Sequence, residues 1–139
     1  MKKTLILILT FLPLILLGQH LKCCESVKDV ESYLSGKWKI KNSKSKTIYH
    51  YWFEKGQGNL TEIEQTESEY LIIDDHPFID IIKYDQGFKL KFTHLYSNWI
   101  SELKYLNSNK MILVTNGKET EYYKFNEQKW RYQKKEQEK

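Results

Sequence analysis

Beyond position 24 the chain has no cysteine, and its only two, Cys23 and Cys24, are adjacent. No disulfide can staple one strand to another, so any core must hold by packing. The neighbouring pair could close a ring on itself, bridge to another chain, or stay as free thiols. Proline is nearly missing as well, with Pro13 and Pro77 alone, and glycine numbers six, so nothing in the composition marks a disordered or low-complexity chain. The sequence also lacks a Gly-x-Ser-x-Gly elbow, a phosphate-binding loop, a cysteine motif inside the domain and a His-Glu-x-x-His pair. No catalytic residue is assigned, no cofactor is expected, and the chain is not expected to be an enzyme.

A large charge of one sign is missing too. The formal charge of +4 includes Lys2 and Lys3; without them 20 basic residues face 18 acidic ones, which removes the electrostatic case for nucleic-acid binding. Much of the remaining positive charge lies in residues 126–139, where Lys129, Arg131, Lys134, Lys135 and Lys139 oppose Glu127, Glu136 and Glu138. This tail reads as a solvated end, with contact to an anionic surface as the alternative.

The one long hydrophobic run is at the start. Met1-Lys2-Lys3 is a positive flank and Thr4–Gly18 carries no charge, the layout of an export signal over residues 1–19. The run is shorter than the roughly 20 residues that span a bilayer comfortably, so a cleaved leader is expected rather than a stable transmembrane span. Cleavage is expected near Gly18 or Gln19, although Leu17 and Gln19 fit the small-residue rule poorly. The protein is then exported, to a periplasm or the extracellular space. Lys22 before Cys23, and His20 three before it, depart from the small residues that precede a lipid-modified cysteine in bacterial lipoproteins.

What the chain does have is aromatic residues and alternation. Residues 20–35 form a linker with a short helix: Ser26-Val27-Lys28-Asp29 fits a capping box, and Val27, Val30, Tyr33 and Leu34 recur at helical spacing up to Gly36. Gly36-Lys37-Trp38-Lys39-Ile40-Lys41 then alternates apolar with charged, which in an extended strand turns Trp38 and Ile40 to one face. From there to Phe125, short strand-like runs follow at residues 37–42, 47–54, 59–65, 69–74, 78–84, 88–92, 99–106, 110–115 and 120–125. Gly56-Gln57-Gly58, Asp74-Asp75-His76-Pro77, Asp85-Gln86-Gly87 and Asn116-Gly117 separate some of them as turns, the last with the strongest hairpin chemistry. No long crossover connections intervene, so consecutive strands are expected to pair antiparallel with their neighbours. The reading is all-β: an up-and-down antiparallel barrel of eight to nine short strands over residues 36–125, closed so that no edge is left exposed.

Leu34-x-Gly36-x-Trp38 at the head of this meander resembles the opening signature of the lipocalins, and more closely the small bacterial lipocalin-like domains. The aromatic strand followed by Gly56-x-Gly58 adds to the likeness. So does Ile100-x-x-Leu103 running through Met111-Ile112-Leu113 to Tyr122-Tyr123. The resemblance implies a helical turn closing one end of the barrel and a small apolar or amphipathic ligand held inside. The inward candidates are Trp38, Ile40, Phe88, Leu90, Phe92 and Leu103, together with Trp52, Tyr70, Trp99 and Met111. So many bulky residues could equally fill the barrel. The other function class is an interaction module that contacts an envelope protein or the cell surface, for which Tyr49, Tyr51, Tyr105 and Tyr122 could supply an outer face.

Two further patterns have plain explanations. Asp74, Asp75, His76 and Asp80, with His50 or His94, offer metal-ligand chemistry but no common metal spacing, and no metal site is assigned. Glu62 and Glu64 alternate along a strand, as two residues of one solvated face would.

Overall fold

In a computed structural model the described residues are 21–66, 70–72 and 76–127. The expected leader and most of the charged tail lie outside them. Among the described residues one helix, α1 (Val27–Leu34), is followed by nine strands: β1 (Gly36–Ile40), β2 (Thr47–Glu54), β3 (Gln57–Gln65), β4 (Tyr70–Ile72), β5 (Phe78–Tyr84), β6 (Gly87–Thr93), β7 (Asn98–Leu106), β8 (Lys110–Thr115) and β9 (Lys118–Lys124). Every pairing is antiparallel, and β9 returns to β1 while β2 pairs with β3, so the sheet closes on itself. The barrel has eight walls because β4 and β5 share one of them.

That shared wall corrects the expectation that each strand pairs with the next. β4 pairs with Ile63–Gln65 and β5 with Gly58 and Asn59, along the same flank of β3. Continuing the Ile63–Ile72 register would set Gly58 opposite Pro77, but it faces Ile79, two residues further on. Pro77 has no N–H for the ladder. Its carbonyl nevertheless accepts from Leu60 N–H at 3.0 Å, so the break is local. β4 and β5 therefore run in the same direction along one flank of β3.

Two hairpin turns show why local chemistry sets register. Asn116 (φ 50°) and Gly117 (φ 77°) both take positive φ, as a type I′ turn requires. Between β2 and β3 the same geometry falls on Lys55 (φ 51°) and Gly56 (φ 82°), so Gly58 is not part of the turn. It lies inside β3, where a Cβ would stand 2.6 Å from the Phe53 ring and 2.7 Å from the Ile79 carbonyl. Only a residue without a side chain lets β5 approach so closely.

One contiguous core runs through the barrel from the α1 end. Trp38, Tyr51, Phe88, Leu90, Phe92, Leu103 and Met111 are buried in it, with Leu60, Ile79, Leu106 and Leu113. An isolated eight-residue helix is below the length that is stable in water; α1 is held by burying Val30 and Leu34 completely. Each fully buried aliphatic side chain of this kind contributes about 1.5–3 kcal/mol. Ser26 and Asp29 form the reciprocal capping box expected from the sequence. The helix lies against β2, β5 and β7 and closes one end of the barrel. Trp38 Nε1–H donates to the Leu34 carbonyl at 2.8 Å, so the first strand and the closing helix share a buried hydrogen bond. Among the described residues no helix is long and apolar enough to cross a membrane.

Candidate functional site at the far end of the barrel

Strand parity places the side chains at the end away from α1. Tyr49 pairs with Glu62, and Met111 with Tyr122; paired residues share a face, and Met111 is core. Tyr49 and Tyr122 meet edge to face, with ring centroids 5.7 Å apart, and both pack against the core. Glu62 shares the inward parity of Leu60, so it is not part of a solvated outer face, whereas Glu64, at the end of the same row, is exposed. Glu62 is half-buried, and among the described residues no cation pairs with it. Across the lumen Ser101 and Thr115 hydroxyls share a hydrogen bond of 2.6 Å, and Trp99 stacks on Phe92 at 4.9 Å with ring planes 9° apart.

The electrostatics follow from this placement. Burial pushes the Tyr122 hydroxyl up to about 12, with Tyr49 and Glu62 adding to the rise. Burial raises Tyr49 as well, again with a contribution from Glu62. Tyr51 is raised well above the ordinary range by complete burial, and then by Tyr122, Tyr49 and Glu62. Three phenols therefore stay neutral donors beside one carboxylate. That combination can accept a hydrogen-bond donor or a cation, with aromatic faces nearby.

At the other end two lysines tie the N-terminal segment to the barrel. Lys83 Nζ donates to the Glu25 carbonyl, and Lys124 Nζ to the Tyr33 and Ser35 carbonyls while lying 4.3 Å from the Trp38 ring centroid. Burial lowers the Lys124 pKa. Cys23 and Cys24 are joined to each other by a disulfide. Two solvent-open clefts flank them. One, of about 700 Å³, is lined by Cys24, Lys83 and Phe88 among others; the second, of about 600 Å³, by Cys23, Lys104 and Tyr105. Leu21 and Lys22 border both.

Of the ten inward candidates, Trp38, Phe88, Leu90, Phe92, Leu103 and Met111 are buried in the core. Trp99 is half-buried against it. Ile40 pairs with the inward Tyr122 but is only half-buried and lies outside the contiguous core. Trp52 is a correction: Tyr49, Tyr51 and Phe53 take the inward positions of β2, which leaves Trp52 on the outer face. There its Nε1–H donates to Thr61 Oγ1 at 3.0 Å. Tyr70 belongs to β4, but its side chain lies outside the described residues.

The tyrosine-rich outer face is likewise corrected, because Tyr51 is fully buried and Tyr49 and Tyr122 face the core; of the four, only Tyr105 is exposed. Sequence reasoning missed Glu62 as a lumen residue, although its two-residue offset from the apolar Leu60 carries the parity that places it. Asp74 and Asp75 lie outside the described residues. The neighbouring His76 is half-buried with Nδ1 unpartnered, and no three His, Cys, Asp or Glu side chains converge among the described residues.

No family model matches the chain, and no curated protein or solved structure is significantly similar to it. The closed eight-walled antiparallel barrel with its end-capping helix is compatible with a calycin-like fold on geometry.

Proposed function

We propose that this is an exported lipocalin-like protein that binds a small amphipathic ligand at the barrel end opposite α1. The observation that supports it best is Glu62, an inward carboxylate without a paired cation among the described residues, beside the phenols of Tyr49, Tyr51 and Tyr122. The packing of the core makes no use of this group, which leaves its oxygens able to accept from a ligand. On this reading a positively charged or donor-bearing head group lies against Glu62, and the apolar body lies along the half-buried Trp99 ring.

The test is a titration of alkyl compounds of one chain length followed by Trp fluorescence. Saturable quenching is expected, with the amine bound more tightly than the alcohol and the alcohol more tightly than the carboxylate. Glu62→Gln should weaken the amine about 10-fold, corresponding to roughly 1.4 kcal/mol, with thermal unfolding checking that the variant is folded. Linear uptake, or equal affinity for all three head groups, would contradict the proposal.

A second reading draws on the β6–β7 connection at the same end. Leu95 and Tyr96 there are 84% and 87% exposed, an apolar loop tip suited to a protein partner or an envelope surface. On that reading the barrel is a scaffold, and Leu95→Ser with Tyr96→Ser removes partner capture without changing the alkylamine titration.

A further inference from the structure

The Cys23–Cys24 disulfide encloses no intervening chain. Disulfides stabilise mainly by restricting the unfolded state, and the effect grows with the loop they close; joining adjacent residues restricts almost nothing. Its placement suggests another use. Cys24 is 6% exposed and belongs to the core cluster, whereas Cys23 is half-buried. Cys24 borders one cleft and Cys23 the other, with Lys22 on both and Lys104 on the Cys23 side. Lys104 is paired with Glu119, while Lys22 borders both clefts, and a cation sharing a cleft with a sulfur favours the thiolate form and so favours exchange.

We propose that Cys23–Cys24 is a redox-active pair that exchanges with an external dithiol reaching it through the Cys23 cleft. One thiolate of the dithiol bonds to Cys23 Sγ as the Cys23–Cys24 bond breaks, and the electron pair leaves on Cys24 Sγ, which takes up a proton. The second thiolate of the dithiol then attacks its own sulfur in the mixed disulfide. Cys23 leaves as a thiolate and is protonated. The pair has gained two electrons and two protons, and the dithiol has become a disulfide. Leu21–Cys24 forms the wall between the two clefts, so opening the ring changes the shape of both. This proposal is independent of the ligand at the far end.

The experiment uses the protein as recovered from the exported fraction without reductant. Iodoacetamide and mass spectrometry should find no alkylated cysteine before treatment and two after dithiothreitol, under conditions where circular dichroism is unchanged. Phenylarsine oxide, which bridges two neighbouring thiols, should block both at one equivalent. In Cys24→Ser, Cys23 should form a mixed disulfide with oxidised glutathione at least 10-fold faster than Cys24 does in Cys23→Ser. A thioredoxin-type protein in place of dithiothreitol distinguishes a protein dithiol from a small one, and reduction by either supports the pair as an exchange site. Reduction only after unfolding in urea would overturn the proposal. So would exported protein carrying free thiols, a link to another chain, or an acylated Cys23.

Discussion

Single positions carry this barrel where two strands come unusually close. At Gly58 a methyl group would collide with the Phe53 ring and with the backbone carbonyl of Ile79, and a backbone atom cannot turn aside as a side-chain tip can. Gly58→Ala should therefore destabilise the protein by about 1–3 kcal/mol, read from urea unfolding; a change within about 0.5 kcal/mol would mean that β5 does not approach β3 there. The sequence suggested a turn at this glycine because Gly-x-Gly usually marks one, and only the position of the β5 backbone shows its other use. Trp38 and Trp52 make the same contrast. Trp38 alternates with lysines, so its face was legible. Trp52 sits in the run Tyr49-His50-Tyr51-Trp52-Phe53, where aromatic residues occupy both parities and His50 alone marks the outer one.

Among the elements, α1 shows how a short helix depends on both its cap and its packing. Ser26→Ala removes the Ser26 Oγ acceptor used by the Asp29 N–H at 3.2 Å, and the hydroxyl's own bond to Asp29 Oδ2 at 2.7 Å. About 1 kcal/mol of stability should be lost, measured at neutral pH by chemical unfolding. The Ser26 hydrogen bonds hold the Asp29 pKa below its ordinary value. A carboxylate depressed in the folded state adds stability that is present above its unfolded pKa and lost as pH falls through the folded value. The wild type should thus lose more stability than Ser26→Ala on acidification below about pH 4, and parallel acid profiles would remove Asp29 from the cap. The helix and the Asn116-Gly117 hairpin were legible because each is written in local residue chemistry. The β4–β5 wall was not, since its partner is a different stretch of β3 from the one that a chain of simple hairpins implies.

For the molecule as a whole, the inward-facing tyrosines set the limit at high pH. Tyr49, Tyr51 and Tyr122 are all raised by burial, so the unfolded chain gives up their protons at a lower pH than the folded one. The unfolded state then binds fewer protons, and stability falls as pH rises above about 10. Urea unfolding at pH 9 and pH 11 should show this loss, and Tyr122→Phe should reduce it; an equal loss in the variant would place Tyr122 outside the cluster. Closure of the barrel was legible as a class because nine short runs without crossovers leave few other solutions. The lumen's charge was not, because the apolar Leu60 and Ile63 have opposite parity, and only the β2–β3 register shows that Glu62 shares the face of Leu60.

The ties from Lys83 to the Glu25 carbonyl and from Lys124 to the Tyr33 and Ser35 carbonyls have a mechanical meaning. Tension on the N-terminus meets these few ammonium anchors and the helix's greasy stripe before it reaches the continuous ladders of the cylinder. The stopper would part first and the cask would keep its hoops, so a pull from that side exposes Trp38 while the staves stay joined.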